Sequence, residues 1–246
     1  IRENKPEVIF HLAAKAYVNY SFDHPIEVMQ TNLLGTLNVL HAAMESEEVQ
    51  QVVCTSSCEV YGGMLGESID ESHPLNPASP YAASKAAADR YCHAYWKTYG
   101  LPVSVIRPFN TFGPRAVHDV IPRFISFALE NKPITVYGTG KQSRDFTYVG
   151  DIVEAFLLMG SRKEAVGKAV NFGSGKDYTI NFIAEKVREI SESMSEIVHV
   201  EKRMAELERV ICNYSLAKEL FGWQPVVPIE EGLRRTIAWA RQVKVK

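Results

Sequence analysis

A tyrosine and a lysine four residues apart, Tyr81 and Lys85, are the pair in this sequence best suited to acid–base chemistry. On a helix, side chains at positions i and i+4 face the same way. A neighbouring ammonium lowers the pKa of a phenol from about 10 toward the range in which the phenol can act as a general base. The pair is therefore a candidate for proton abstraction.

Sequence context separates this pair from two others with the same spacing, at 137/141 and 214/218. Glycines interrupt the first of these, and the second lies on a predicted tail helix without a partner strand. Only the Tyr81 pair follows a predicted strand that ends in hydroxyl residues, Thr55-Ser56-Ser57. We therefore expect Tyr81, Lys85 and this strand end to lie together.

Strands and helices that alternate along the chain must position these groups. Short apolar runs predict buried strands, and apolar residues every three to four positions predict helices. The predicted strands are 7–14, 51–56, 101–108, 134–137 and 169–172, and the predicted helices are 25–45, 81–99, 119–131, 151–159, 181–193, 215–221 and 229–241. This alternation predicts the α/β class with a doubly wound parallel sheet.

Composition excludes several classes of protein. The chain has 246 residues, 46% of them hydrophobic and 23% charged, which excludes disorder. No apolar run is long enough to span a membrane. A net charge of −2 lacks the basic surplus of a nucleic-acid-binding protein. The four cysteines form neither a disulfide framework nor a metal site, so we expect a cytoplasmic protein without a metal.

Six motifs in order resemble those of the extended short-chain dehydrogenase/reductase family, the NAD-dependent nucleotide-sugar epimerases and dehydratases. The tail, with FGWQP at 221–225 and EGL at 231–233, is also similar to the end of that family. The motifs are FHLAA at 10–14, TNLLGT at 31–36, SSCEVYG at 56–62, SPYAASK at 79–85, RPFN with GP at 107–114, and RDFTYV at 144–149.

This resemblance implies an enzyme that uses NAD to oxidise C4 of a hexose carried on a nucleoside diphosphate. Tyr81 would remove the proton of the C4 hydroxyl, and Ser57 would hydrogen-bond the same oxygen. Lys85 would hold the nicotinamide ribose and depress the pKa of the phenol. The 4-keto sugar would be an intermediate, and neighbouring groups would decide its fate.

Two further residues, Cys58 and Glu59, bear on that fate. Glu59 stands where 4,6-dehydratases of this family carry the base that starts the loss of water across C5 and C6. Cys58 occupies a position where dehydratases often have an acidic Asp, and its thiol is either a proton donor or a buried filler. We therefore favour a 4,6-dehydratase, with a C4-epimerase, a UDP-glucuronate decarboxylase and a non-catalytic or inactive homologue as alternatives.

The resemblance also implies contacts to NAD and to the nucleotide sugar. Asp119 and Val120 precede Ile121-Pro122, where dTDP-glucose dehydratases commonly have a lysine ahead of the Ile-Pro pair, which weakens assignment to that branch. The implied cofactor-binding residues are Leu12, Ala13, Ala14, Thr31, Asn32, Tyr81, Lys85 and Pro108. The implied substrate-binding residues are Asn110, Thr135, Val136, Tyr137, Arg144 and Arg209, the two arginines for the diphosphate.

The predicted organisation is a Rossmann-like NAD-binding domain at 1–115 and a smaller substrate-binding lobe at 116–246, with about 144–173 returning to the first domain. The first strand, 7–14, resembles the family's fourth strand, so we expect the Gly-rich turn of the family to be absent. We therefore expect a fragment that cannot hold NAD tightly alone. Helices near 25–45 and 81–99 are expected to form a homodimer interface.

Overall fold

The computed structural model describes residues 1–202 and 207–244. In these ranges the strands are β1 (Val8–His11), β2 (Gln51–Thr55), β3 (Val103–Pro108), β4 (Asn110–Phe112), β5 (Ile134–Tyr137), β6 (Ser143–Tyr148), β7 (Ala169–Phe172), β8 (Asp177–Thr179) and β9 (Ile197–Val200). The α-helices are α1 (Val18–Asp23), α2 (Pro25–Met29), α3 (Gly35–Met44), α4 (Pro80–Tyr99), α5 (Val120–Leu129), α6 (Val149–Ser161), α7 (Ile180–Ile190), α8 (Ser215–Phe221) and α9 (Ile229–Lys244).

A parallel sheet in the order β1-β2-β3-β7 supports the candidate catalytic groups. Its central strands, β2 and β3, are nearly continuous runs of buried residues, as parallel strands covered on both faces require. Residues Val53, Ile106 and Phe172 lie in the apolar core between the sheet and α6. The predicted α/β class with a parallel sheet is confirmed.

The first strand differs from its prediction as a buried interior strand. In the structure β1 pairs with β2 alone, at one edge of the sheet. Val8 is 37% exposed and Phe10 is 40% exposed. The apolar run therefore indicated the strand correctly, and its side chains are partly exposed in this chain.

Helix α4 carries the Tyr81 pair and begins and ends at clear signals. The Ser79 hydroxyl accepts a hydrogen bond of 3.1 Å from the amide of Ala82, and Pro80 occupies the first turn. Gly100 ends the helix with a φ of 70°. These signals place Tyr81 in the first turn, next to the sheet edge where the parallel strands end.

The predicted helix at 25–45 is interrupted. Helices α2 and α3 are joined by a π-helical turn at Gln30–Leu34, and the separate helix α1 precedes them. Such a turn adds a residue to the helical repeat without ending the helix. The apolar spacing of three to four residues persisted through it, so the sequence pattern did not reveal it.

Two smaller sheets and three helices enclose a second apolar core. Strands β4-β6-β8 form one sheet, and β5 pairs with β9 in the other. Helices α5, α7 and α9 contribute Ile121, Phe124, Ile183 and Leu233 to the core between them. This core lies beside the cavity described next.

No helix among the described residues is long and apolar enough to cross a membrane.

Candidate active site

A cavity of about 370 Å³ lies at the carboxyl ends of the parallel strands, the edge at which doubly wound folds bind ligands. The main sheet and α4 supply one wall, which includes Ser57, Tyr81 and Lys85. The opposite wall comes from the smaller sheets and α5, and includes Arg123 and Tyr137. The cavity is therefore bounded by segments that are distant in the sequence.

The structure brings Tyr81, Lys85 and Ser57 together at this cavity. Tyr81 is 7% exposed, and burial raises the pKa of its phenol, while a hydrogen bond with Ser57 acts in the opposite direction. Lys85 donates from Nζ to the carbonyl oxygen of Thr55 at 2.7 Å. The pKa of the phenol is thus raised, because burial outweighs the hydrogen bond with Ser57.

The pKa of Lys85 is shifted in the direction expected of a buried ammonium. Burial lowers the pKa of Lys85 to about 8, since few polar groups replace the water that it loses. The thiols of Cys54 and Cys92 lie close enough to raise its pKa slightly in return. The ammonium form still predominates at pH 7.

The residues after Ser57 form a single 3₁₀ turn, Cys58–Tyr61, that places Glu59 at the cavity. The Ser57 hydroxyl caps the turn by accepting a hydrogen bond of 3.2 Å from the amide of Glu59. The negative charge of Glu59 raises the pKa of Tyr81, so the carboxylate and the phenol share one environment. The Tyr81 phenol and the Glu59 carboxylate therefore face the same space.

Cys58 lines the cavity but is poorly suited to give up a proton. It is 5% exposed, and burial raises the pKa of its thiol well above the usual value, with the charge of Glu59 adding to the effect. A thiol that holds its proton so tightly is a weak acid. All four cysteines, including Cys58, are buried free thiols.

On the opposite wall, the structure brings Asn110, Thr135, Tyr137 and Arg144 to the cavity. Asn110 has a buried Oδ1 without a hydrogen-bond partner among the described residues, which leaves an acceptor available to a ligand. The Arg144 guanidinium donates from Nη1 to the carbonyl oxygens of Ser143 and Leu207, which orient it.

Two predicted substrate residues lie elsewhere. Successive side chains of a strand point to opposite faces, so Val136, between Thr135 and Tyr137, points into the second core and is fully buried. Arg209 does not line the cavity. Its guanidinium pairs with Asp177, at 2.8 Å from Nε to Oδ2, because β8 brings that carboxylate beside it. The expectation that Arg209 contacts the diphosphate therefore stays a prediction, for a side chain that lies outside this cavity.

Of the predicted cofactor-binding residues, some line the cavity and others do not. Leu12, Ala14 and Pro108 line the cavity. Three do not: Ala13, Thr31 and Asn32. Asn32 is buried behind the wall, where its Oδ1 accepts from the amide of Lys15 at 2.8 Å and its Nδ2 donates to the Ser84 hydroxyl at 3.0 Å. In the structure, Asn32 therefore ties the loop after β1 to α4.

Sequence reasoning did not assign Tyr17, Asp119 or Arg123 to the cavity wall. Asp119 has a φ of 74°, an uncommon conformation for a residue other than glycine, and such strain is concentrated at functional sites. Tyr17 stacks on His118 with ring centroids 5.3 Å apart, which joins the loop after β1 to the segment before α5. Because Tyr17 and His118 are far apart in the sequence, no local sequence pattern indicates this stack.

Among the described residues, no group of three or more histidine, cysteine, aspartate or glutamate side chains is arranged to hold a metal ion.

The sequence and structure are similar to those of sugar-nucleotide enzymes. Residues 1–236 match the family model described as GDP-mannose 4,6 dehydratase. A dTDP-D-glucose 4,6-dehydratase from Bos taurus is 36% identical, over 97% of this chain and 68% of the relative. A UDP-N-acetyl-alpha-D-glucosaminuronate decarboxylase from Bacillus cytotoxicus is 37% identical, over 98% of this chain and 78% of the relative.

Solved structures extend the similarity to a third reaction. The structure of UDP-glucose 4-epimerase from Thermotoga maritima, with UDP-glucose, matches with a TM-score of 0.93 and 30% identity, over 98% of this chain and 79% of that one. Other structural neighbours were solved with NAD or NADPH. Dehydratases, decarboxylases and epimerases thus resemble this chain to a similar degree.

Proposed function

Because the chain belongs to the extended short-chain dehydrogenase/reductase family of NAD-dependent nucleotide-sugar enzymes, we propose that it is a 4,6-dehydratase of a nucleoside-diphosphate hexose. The observation that carries the proposal is the Glu59 carboxylate, which shares a cavity with the Tyr81 phenol. Oxidation at C4 makes the C5 proton acidic, and a carboxylate beside it can then act as the base.

The residues at the sheet edge fit the nicotinamide end of NAD. The buried hydroxyl of Ser56 lacks a hydrogen-bond partner among the described residues, and the Lys85 ammonium lies beside it in the same wall. Leu12 and Pro108 add apolar surface. When bound, NAD supplies an acceptor for the hydride that leaves C4 of the sugar, and it can return that hydride later in the cycle.

The chain's own residues divide the remaining tasks. Tyr81 removes the proton of the C4 hydroxyl, and Ser57 hydrogen-bonds the same oxygen. A Lys85 ammonium held by the ribose stabilises the phenolate, which offsets the effect of burial on the pKa of Tyr81. Arg144 neutralises diphosphate charge, and Asn110 accepts a hydrogen bond from the nucleotide sugar.

A second candidate, decarboxylation of a UDP-hexuronate, is favoured by the environment of Cys58. Loss of water from C6 benefits from an acid that protonates the departing hydroxyl, and the buried Cys58 thiol is a weak one. Loss of carbon dioxide from a 4-keto uronate needs no such acid. The relative from Bacillus cytotoxicus bears the name of a decarboxylase of this kind.

Product analysis separates these reactions. We expect the protein, supplied with NAD and nucleoside-diphosphate hexoses, to form a 4-keto-6-deoxy sugar without net reduction of NAD. Carbon dioxide release from UDP-glucuronate would instead establish the decarboxylase. Formation of a C4 epimer alone would contradict both and favour the epimerase. A protein that converts none of these substrates would contradict the proposed function.

A further inference from the structure

Beyond the residues that reach the cavity, a buried polar network connects the turn that carries Glu59 to the helix that carries Tyr81 and Lys85. Tyr61, the last residue of that turn, is 2% exposed. Its hydroxyl accepts a hydrogen bond of 2.8 Å from Nη1 of Arg107 and donates one of 2.7 Å to Oδ1 of Asn171. The turn is thereby attached to both β3 and β7.

Arg107 continues the connection from β3 to α4. Its Nε and Nη2 donate to the two carboxylate oxygens of Asp89, at 2.8 Å and 3.0 Å, a bidentate pair of fixed geometry. The Asp89 side chain is fully buried, and that of Arg107 is 3% exposed. Asp89 lies one helical turn after Lys85 and two after Tyr81, so the pair fixes the position of the helix that bears them.

The groups in this network have pKa values far from neutral pH. Burial alone would raise the pKa of Asp89, but the hydrogen bonds and charge of Arg107 hold it below the usual value. Burial raises the pKa of Tyr61 to about 12, so its hydroxyl stays protonated and can donate to Asn171. Each group in the network therefore keeps the same protonation state at any pH near 7.

Stability alone does not account for an ion pair buried in this way. Because desolvation is costly, apolar residues of similar volume often stabilise a protein as well as a buried ion pair does. A directional network has another property: it fixes the distance and angle between the elements that it joins. Here those elements carry Glu59 on one side and Tyr81 with Lys85 on the other.

We propose that Tyr61, Arg107 and Asp89 are positioning residues that set the location of the Glu59 carboxylate relative to the Tyr81 phenol. None of the three lines the cavity, so they act through the turn and the helix. Their effect falls on the proton transfer at C5 that Glu59 performs, more than on oxidation at C4. This inference rests on the proposed function, because Glu59 is the base only in that reaction.

Tyr61→Phe is the test, since it removes one hydroxyl and leaves the ring in place. We expect kcat for formation of the 4-keto-6-deoxy sugar to fall at least tenfold with KM within about threefold. Because C4 oxidation continues, absorbance of reduced NAD at 340 nm is expected to build up after the substrate is added. Tyr214→Phe is the matched control, a partly buried tyrosine outside the cavity, and is expected to behave as the wild type.

A double variant separates positioning from folding. Asp89→Leu with Arg107→Met removes both charges together, so neither is left buried and unpaired. We expect it to keep a melting temperature close to the wild type while retaining the loss of kcat seen for Tyr61→Phe. Wild-type kcat in Tyr61→Phe or in the folded double variant would overturn the inference and leave the proposed function standing. A wild-type protein without activity would overturn both.

Discussion

At the residue scale, the candidate site depends on how burial shifts the pKa values of a few titratable groups. The sequence correctly indicated that Ser57, Tyr81 and Lys85 would meet, because helical spacing and a strand end are local signals. It did not indicate that burial raises the pKa of the Tyr81 phenol, since burial cannot be read from a spacing. The sequence did not indicate that Arg209 pairs with Asp177, because that carboxylate comes from another strand.

Glu59 gives the most direct prediction. Glu59→Gln keeps the size of the side chain and removes its ability to take a proton, so we expect formation of the 4-keto-6-deoxy product to fall by about 100-fold or more. Oxidation at C4 should persist, because Tyr81 and Lys85 are unchanged. Product formation by NMR and reduced NAD by absorbance measure the two steps.

The matched control for that variant is Glu67→Gln, which alters an exposed acid outside the main cavity. It is expected to leave both steps unchanged. Full product formation by Glu59→Gln would place the C5 base on another residue.

Lys85 gives a prediction about stability and pH. Its pKa is about 8 in the folded protein, against the ordinary lysine value of 10.5, so between these values the unfolded chain binds more protons. The ammonium therefore destabilises the fold fully below pH 8, and this effect disappears as the pH rises to about 10.5. The difference between the two pKa values corresponds to about 3 kcal/mol in the free energy of unfolding.

We therefore expect Lys85→Met to gain most stability relative to the wild type at pH 7 and progressively less toward pH 10. Urea unfolding of both proteins across this range measures the difference, in which other titrating groups largely cancel. A stability difference that does not change with pH would show that the pKa of Lys85 is not lowered by folding.

At the element scale, prediction from sequence succeeded where an element was long or fully buried. Helix α4 and strands β2 and β3 have a clear period and clear end signals. Strands β6 and β9 were not predicted, and neither were β4 and β8, which have three residues each, too few to show a period. The pairing of β4 and β8 with β6 depends on contacts far along the chain.

The end of the Glu59 turn gives a prediction at this scale. Gly62 has a φ of 66°, and a Cβ built there would overlap the carbonyl oxygen of Asn76. Gly100, at the end of α4, has a similar φ of 70° with no atom within 4 Å of its Cβ position. The two glycines therefore differ in packing and share a backbone conformation.

We expect Gly100→Ala to cost about 1–2 kcal/mol, the strain of a left-handed residue. Gly62→Ala should cost more, about 3 kcal/mol or above, because backbone must also move. Urea unfolding measures both free energies. Equal losses for the two variants would show that the close approach of Asn76 carries no energetic weight.

At the scale of the whole molecule, exposed apolar side chains on α2, the π-helical turn and α4 lead us to propose a homodimer. Ile26 is 64% exposed, Leu34 44%, Tyr91 45% and Tyr99 58%. A second copy that covers these side chains would remove apolar surface from water, the main driving force for stable association.

Light scattering tests the proposal. We expect twice the mass of the chain for the wild type and the mass of one chain for Leu34→Glu with Tyr91→Glu, since buried charge without a partner opposes association. Met194→Glu changes a fully exposed residue outside these helices, at 91% exposure, and should remain dimeric. A monomeric wild type would contradict the proposal.

The pairing of β3 with β7 has a consequence for how the chain acquires its structure. Val105 lies opposite Ala169, so about sixty residues are synthesised between the two strands, including those of β4, α5, β5, β6 and α6. During synthesis the main sheet cannot close until this intervening segment has left the ribosome. Contacts so far apart in sequence make folding slow, and the sheet edge of β3 stays available for wrong pairing meanwhile.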